Sequence, residues 1–198
     1  YQLNWITRSR SFLSMEESKL SVEQFSPDYV NYFYQFPQEK KDKIFASQDL
    51  LYKGISSHTI TDIYNLLYEH SVSGEEMNVR LQVLSEVKKI QEKGNKYEIY
   101  CHQWQQNQDF SLESEVVILG TGYRPYVPSF IKNLTPYISW DERGRYEVEA
   151  DYRLRLNIPN QIYVHSGISH SHGVGSTNLG LAVHRNKVII NHLIGEEV

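Results

Sequence analysis

The feature that most constrains the fold is an apolar run that ends in two glycines. The segment 115–119 consists of Glu115 and four apolar residues, and Gly120, Thr121 and Gly122 follow it directly. A continuous apolar run is typical of a parallel strand covered on both faces, so we expect a buried strand at 115–119. The glycines would let the backbone bend sharply and approach another group closely. Because ligands bind beyond the carboxyl ends of strands in open α/β sheets, residues 120–122 are candidate ligand-binding residues.

The rest of the chain shows alternating helical and extended patterns. Helices are expected between Ser26 and Phe45 in two pieces broken at Phe36-Pro37, from Thr59 to His70, and from about Asn178 to Leu193. Strands are expected at 3–7, 78–84, 86–91, 97–101 and 161–165. The strands between 78 and 101, with a tight turn at Gly94-Asn95, predict a small antiparallel meander beside a larger α/β domain. The aromatic residues Tyr29, Tyr32, Phe33 and Phe36 have helical spacing and favour core packing.

Composition narrows the classes of function. A charge of −4 makes no case for binding nucleic acid or an anionic membrane. The single Cys101 excludes an internal disulfide framework and fits a reducing, cytoplasmic location. No apolar run approaches the roughly 20 residues that span a bilayer. The chain opens with Tyr1 rather than Met, at the start of an extended pattern. A processed terminus would explain this, but we expect a missing upstream portion.

A second candidate site is the histidine- and glycine-rich segment from Ser169 to Leu179. His170 and His172 could chelate a metal, but no third ligand cluster lies near them, and we expect no metal. Ser176 or Thr177 is a natural N-cap for the helix that follows. Gly173 and Gly175 would bring the positive end of this helix close to a flat or anionic ligand, such as a reduced flavin.

These motifs, in this order, resemble the N-hydroxylating flavoprotein monooxygenases of siderophore biosynthesis, the L-lysine N6-hydroxylase and L-ornithine N5-monooxygenase family. The turn at 120–123 resembles the Ala-Thr-Gly-Tyr signature of the family, with Gly120 in place of Ala and Glu115 where Asp is preferred. The resemblance spans Leu3 to Ile194 and includes the segments 26–29, 54–56, 151–153, 172–174 and 178–186. The last of these segments is closer to the lysine branch than to the ornithine branch.

The resemblance implies an α/β fold: part of a Rossmann-like, three-layer flavoprotein with two dinucleotide-binding domains and a small antiparallel meander. Residues 1–112 would be the carboxy-terminal part of the NADPH-binding domain with the meander, and 113–198 the carboxy-terminal return segment of the FAD-binding domain. The chain contains no G-x-G-x-x-G motif, and in the family both such motifs lie upstream. We therefore expect this part alone to be inactive and to bind FAD weakly, with the upstream part of the same enzyme as its partner. The resemblance also implies a homo-oligomer, a tetramer or a dimer, as a possible assembly.

The implied activity is N6-hydroxylation of L-lysine with FAD, NADPH and O2 for a hydroxamate siderophore. No catalytic acid or nucleophile is expected, because the protein would position the reactants and exclude water. The resemblance places Arg8 on the adenosine side of NADPH, and Lys53 and Ser56 in the loop approaching NADPH and substrate. It assigns Gly120, Thr121 and Gly122 to cofactor binding, places His172, Gly173 and Val174 beside the flavin ring, and puts Gly175 near the substrate.

One position departs from the family pattern. Val22 stands where the amino-acid hydroxylases generally have an Asn that helps to hold the substrate. Since valine cannot form a side-chain hydrogen bond, a diamine such as putrescine is an alternative substrate, and L-ornithine is another. Two further alternatives stay open: a different flavin-dependent oxidoreductase, and a non-catalytic α/β binding module derived from this fold.

Overall fold

The structure is a computed structural model that describes residues 1–74, 78–123 and 125–197. The chain forms two compact units: residues 1–15 with 54–122, and residues 16–53 with 123–198. This division differs from the expected boundary between 112 and 113, because the helices within 16–53 pack with the second unit. The assignment of the parts to NADPH-binding and FAD-binding domains stays a prediction.

The first unit contains two small sheets. Strand β1 (Leu3–Ile6) pairs in parallel with β2 (Val79–Gln82), with Leu3 opposite Val79. The antiparallel sheet has the order β3 (Ser85–Lys93), β4 (Lys96–Gln103), β5 (Gln108–Ser114). The meander is therefore confirmed, as is the turn at Gly94-Asn95, where Gly94 has a φ of +66°. The strands that make up the meander were predicted incorrectly: β2 pairs with β1 and not with β3, and β5 was not expected as a strand.

Helix α3 (Ser57–Val72) confirms the helix expected at 59–70. It begins at Ser56, whose hydroxyl accepts a hydrogen bond from the Thr59 amide at 3.1 Å. This contact satisfies one of the free N–H groups of the first turn. None of the described side chains of α3 is buried, and Leu66 is 56% exposed.

The apolar run at 115–119 is not the buried parallel strand that its sequence predicts. Strand β5 ends at Ser114, and the backbone from Val116 onward joins no strand among the described residues. Ile118 is 90% exposed and Val116 71% exposed. An apolar run becomes a buried strand only where neighbouring strands and covering helices flank it, and the described parts of the chain supply neither.

Two short helices open the second unit. Helix α1 (Pro27–Tyr34) is capped by Ser26, whose hydroxyl accepts from the Tyr29 amide at 3.2 Å. Helix α2 (Gln38–Ser47) follows Pro37, so the expected break at 36–37 is confirmed. Of the four aromatic residues expected in the core, Phe33 is fully buried, whereas Tyr32 is 57% exposed.

The core of the second unit lies among residues after 130. Its buried apolar members are Ile131, Ile138, Val148, Tyr152, Leu154, Ile168 and Ile189. The strand expected at 161–165 is reduced to a single bridge between Tyr163 and Arg153. The segment therefore contributes individual side chains to the core rather than a sheet.

Helix α4 (Ser169–His172) is one turn long, and α5 (Ala182–Ile194) closes the second unit. The sequence predicts a start near Asn178 with Ser176 or Thr177 as N-cap. The start is confirmed, because Asn178 caps a 3-10 turn (Leu179–Leu181) that runs directly into α5, but the predicted N-cap residues are wrong. A 3-10 turn occupies Val174–Thr177, and the Asn178 side chain instead accepts from the Gly180 amide at 2.7 Å. Asn178 has an extended backbone, and its local hydrogen bond separates the 3-10 turn Val174–Thr177 from the helical residues that follow. Within the described ranges, no helix has the length and apolar character to cross a membrane.

Candidate functional site

The segment from Ser169 to Asn178 is held inside the second unit by polar contacts. The Gln38 amide donates to the His170 carbonyl at 2.9 Å and to Asp42 at the same distance. The His170 Nε2 atom lies 2.7 Å from the Tyr146 carbonyl. His170 is therefore committed to a backbone contact. No group of three His, Cys, Asp or Glu side chains suited to a metal ion occurs in the described ranges.

His172 is enclosed by aromatic rings. Its side chain is 1% exposed and stacks on Tyr152 with ring centroids 4.5 Å apart, while the Tyr34 ring lies 5.1 Å away. The Nδ1 atom lies 2.9 Å from the Ser171 hydroxyl. The Ala150 backbone lies near enough to act on the imidazole as a weak hydrogen-bonding neighbour, but Nε2 has no partner of good hydrogen-bond geometry among the described residues.

Burial lowers the pKa of His172 to about 4, outweighing the opposing effect of Ala150. The imidazole is therefore neutral at physiological pH. A neutral, rigidly stacked imidazole with one free nitrogen can accept or donate one hydrogen bond without carrying charge.

The two glycines after His172 are closely packed by the protein itself. Gly173 has φ +74° and ψ −171°, and a Cβ there would lie 3.1 Å from the Phe33 ring. A Cβ on Gly175 would lie 3.0 Å from Leu181 and 3.1 Å from Val30. On the side where a Cβ would point, each glycine thus makes room for a neighbouring side chain. The sequence predicts that glycine at these positions lets a ligand approach closely, whereas the packing shows side chains of the protein in that space.

The tripeptide Asp151-Tyr152-Arg153 forms the other wall of this site. Tyr152 has a φ of +67° and is 2% exposed, so its ring is fixed over His172. Asp151 pairs with Arg153 at 2.8 Å and with His192 at 3.3 Å. In the sequence this tripeptide stands out only by its place in the motif order, whereas the positive φ and the stacking of Tyr152 show its structural role.

Arg8 and Ser56 belong to the first unit. Arg8 follows β1 and is exposed, and it forms no hydrogen bond or ion pair with the described residues. It does act on Glu86, whose pKa is lowered chiefly by a hydrogen bond from Lys88 and also by the charges of Lys88 and Arg8. Ser56 is the N-cap of α3, which accounts for a hydroxyl at that position without a ligand.

Lys53 and Val22 belong to the second unit and lie at its surface. Lys53 pairs with Asp49 at 2.9 Å, and this hydrogen bond raises the pKa of Lys53. Val22 is 45% exposed within a 3-10 turn, Ser21–Phe25. Among the described residues, no hydrogen bond, ion pair or ring contact joins either residue to His172.

Gly120, Thr121 and Gly122 are exposed. No atom of the described residues lies within 4 Å of a Cβ placed on Gly120 or Gly122, and Gly122 has a φ of +75°. The structure therefore leaves this backbone open on the side that a side chain would cover. Open glycines of this kind leave room for another group to approach the backbone, and their assignment to cofactor binding stays a prediction.

A family model described as L-lysine 6-monooxygenase/L-ornithine 5-monooxygenase matches residues 1–125. The chain is 34% identical over 197 residues to a putrescine N-hydroxylase of Shewanella oneidensis, covering 98% of this chain and 39% of that protein. It is 35% identical over 198 residues to a putrescine N-hydroxylase of Acinetobacter baumannii, covering 100% of this chain and 44% of that protein.

A similar solved structure is the FAD-bound cadaverine monooxygenase of desferrioxamine biosynthesis from Erwinia amylovora. Its TM-score is 0.91 at 36% identity, covering 100% of this chain and 46% of that one. The chain therefore belongs to the family of N-hydroxylating lysine and ornithine monooxygenases, as the sequence motifs indicated. It spans less than half the length of these relatives.

Proposed function

We propose that the protein carrying this chain is an FAD- and NADPH-dependent monooxygenase that hydroxylates a primary amine of an aliphatic diamine for hydroxamate siderophore biosynthesis. The observation that carries the proposal is similarity at 34–36% identity, over almost the whole chain, to enzymes named for putrescine and cadaverine. L-Lysine, the substrate that the sequence motifs favoured, is the second candidate, because the segment 178–186 resembles the lysine branch.

Val22 supports a diamine over an amino acid. Its side chain offers no hydrogen bond to a carboxylate, and putrescine and cadaverine have none to bind. A site for lysine or ornithine would leave the substrate carboxylate without the contact that an Asn supplies at this position. A desolvated charged group without a partner weakens binding strongly.

The cofactor assignments are those that the family resemblance implies, and the chemistry of the exposed residues supports them. The guanidinium of Arg8 is free among the described residues, and it suits bidentate pairing with the 2′-phosphate of NADPH. The open backbone of Gly120, Thr121 and Gly122 suits close approach of FAD. Lys53 and Ser56 are proposed on the NADPH and substrate side. Bound FAD, reduced by NADPH, would activate O2; one oxygen atom of O2 would go to the amine and the other would leave as water.

His172, Gly173 and Val174 are proposed to form a rigid wall beside the flavin, with Gly175 toward the substrate. The neutral imidazole of His172 would add no charge that repels a substrate amine. The residues of this chain would thus position the reactants and exclude water, without acting as a nucleophile.

The exposed run at 116–119 is proposed to complete a sheet with the rest of the enzyme. An exposed stretch that includes Val116, Ile118 and Leu119 is costly in water, and a flanking strand would bury it. This agrees with a chain that spans less than half of its relatives. A cytoplasmic location and assembly into dimers or tetramers belong to the same proposal, and the buried Cys101 thiol fits a reducing compartment.

The test uses the full-length protein with FAD and NADPH, supplied in turn with putrescine, cadaverine, L-lysine and L-ornithine. We expect mass spectrometry to show the hydroxylamine of a diamine, with NADPH consumption coupled to its formation. Faster product formation from L-lysine than from either diamine would establish the second candidate instead. Flavin binding without hydroxylation of any amine would support a non-catalytic module or another oxidoreductase.

The variant Val22→Asn sharpens this test, with Val22→Leu as the control of similar size. If Val22 lies where the family holds its substrate, Val22→Asn lowers KM for L-lysine relative to putrescine. Val22→Leu leaves that ratio unchanged because it adds no hydrogen-bonding group. Equal effects of the two variants on both substrates would remove Val22 from the substrate site.

A further inference from the structure

Arg185 is a buried cation without an acidic partner. It lies on α5 and is 5% exposed. Among the described residues, no Asp or Glu oxygen lies within ion-pair distance of its guanidinium, and its Nε atom has no hydrogen-bond acceptor. Burying a charge without a counter-ion is costly, so the guanidinium needs another source of stabilisation.

Two backbone carbonyls supply that stabilisation. Both terminal nitrogens of Arg185 donate to the Asn178 carbonyl at 3.2 Å, and Nη1 also lies 3.5 Å from the Gly175 carbonyl. The Gly175 carbonyl also accepts from the Asn178 amide at 3.0 Å, which closes the 3-10 turn Val174–Thr177. The guanidinium of Arg185 is therefore hydrogen-bonded to the carboxyl end of the turn that directly follows His172 and Gly173.

The same side chain also acts on the aromatic wall of the site. Burial raises the pKa of Tyr152, and the positive charge of Arg185 opposes that rise. Tyr152 stacks on His172. Arg185 is thus close enough to influence both the turn after His172 and the ring that covers it.

We propose that Arg185 is a positioning residue that fixes the segment from Gly173 to Asn178 through its two carbonyl contacts. The assignment of that segment to the flavin and the amine rests on the proposed function. The guanidinium fork, rather than positive charge alone, is required, because a single ammonium on a shorter stem cannot hold two carbonyls in a fixed direction.

The test compares Arg185→Lys and Arg185→Gln with Lys187→Gln in the full-length protein. Lys187 is an exposed cation on the same helix, so its replacement controls for loss of charge. The first measurement is amide hydrogen exchange, followed by mass spectrometry, for peptides covering 173–180. We expect both Arg185 variants to exchange faster there by about tenfold, the scale of losing hydrogen bonds to a charged donor. The control exchanges as the wild type does.

The second measurement is the visible circular dichroism of bound FAD, which reports the asymmetry of the protein around the flavin. We expect both Arg185 variants to change this spectrum and the control to preserve it. Wild-type behaviour of Arg185→Lys in both measurements would overturn the requirement for the fork. Equal acceleration of exchange throughout the second unit would reduce Arg185 to a general stability residue. If the wild type binds no FAD, the proposed function fails, while the exchange measurement still decides the positioning role.

Discussion

Replacing Gly173 with alanine tests whether this glycine is required by the packing of the protein itself. Two independent penalties meet at the new Cβ. The backbone at φ +74° and ψ −171° lies in a region reserved almost entirely for glycine, and strain of this type costs about 1–3 kcal/mol. The Cβ would also lie 3.1 Å from the ring of Phe33, which is fully buried. Inserting one carbon into a closed core costs about 1–3 kcal/mol more.

Two matched variants separate these penalties within the same unit. Gly144→Ala carries only the backbone penalty, because Gly144 has a φ of +69° and nothing lies within 4 Å of its Cβ position. Gly175→Ala carries only the packing penalty, against Leu181 and Val30 at 3.0 and 3.1 Å. We expect losses of about 1 kcal/mol for Gly144→Ala, about 1–3 for Gly175→Ala and about 2–6 for Gly173→Ala.

The assay is equilibrium urea unfolding of the full-length protein, followed by the fluorescence of Trp140. Trp140 packs against the core of the second unit, so it reports that unit when the other tryptophans of the full-length protein, Trp5 and Trp104 among them, are replaced by phenylalanine. The reasoning is refuted if Gly173→Ala loses no more stability than Gly144→Ala. That result would mean that Phe33 moves aside or that the segment after His172 is not held as described.

Two further predictions concern stability and charge. The pKa of His172 is about 4 in the folded protein and 6.5 ordinarily, so between these values the unfolded chain binds a proton that the folded chain does not. The free energy of unfolding is therefore highest above pH 6.5 and falls by about 3 kcal/mol as the pH is lowered to 4. Unfolding free energies measured from pH 7 to 4 should show a shallower dependence in His172→Gln, and an unchanged slope would contradict the buried, neutral imidazole. The Asp42 carboxylate is 14% exposed and accepts hydrogen bonds from both terminal nitrogens of Arg145, at 2.9 and 3.1 Å. We therefore expect Asp42→Asn to lower the free energy of unfolding by about 3 kcal/mol. The exposed pair of Glu39 with Lys43 is the control, since Glu39→Gln should change the free energy of unfolding in urea by less than about 0.5 kcal/mol. Equal losses in the two variants would show that the Asp42 network adds no stability.

The sequence by itself determined the elements whose signals are local. The Ser26 cap and Pro37 fix the ends of α1 and α2 through hydrogen bonds and ring geometry within a few residues. The Gly94-Asn95 turn and the helix after Ser56 follow from the same kind of short-range chemistry. Family membership was also readable, because it depends on the order of short motifs and not on their packing.

Strand β5 marks the limit of that local reasoning. Phe110 and Leu112 alternate with more exposed residues and pair with β4, so a period-two signal was present between 108 and 114. The stronger apolar run just after it drew the strand prediction to 115–119, where the described residues provide no neighbouring strand. An apolar run states only that burial is favourable, whereas tertiary structure decides whether a partner surface exists.

The candidate site in the second unit was decided by tertiary structure. The sequence identified His172, Gly173 and Gly175 as a group, but not the side chains that surround them. Tyr34 and Tyr152 reach the His172 ring from distant parts of the chain, and Phe33 fills the space that Gly173 leaves. Local propensities cannot specify such contacts, because the free energy of burying a ring or an imidazole depends on which distant residues the fold brings around it.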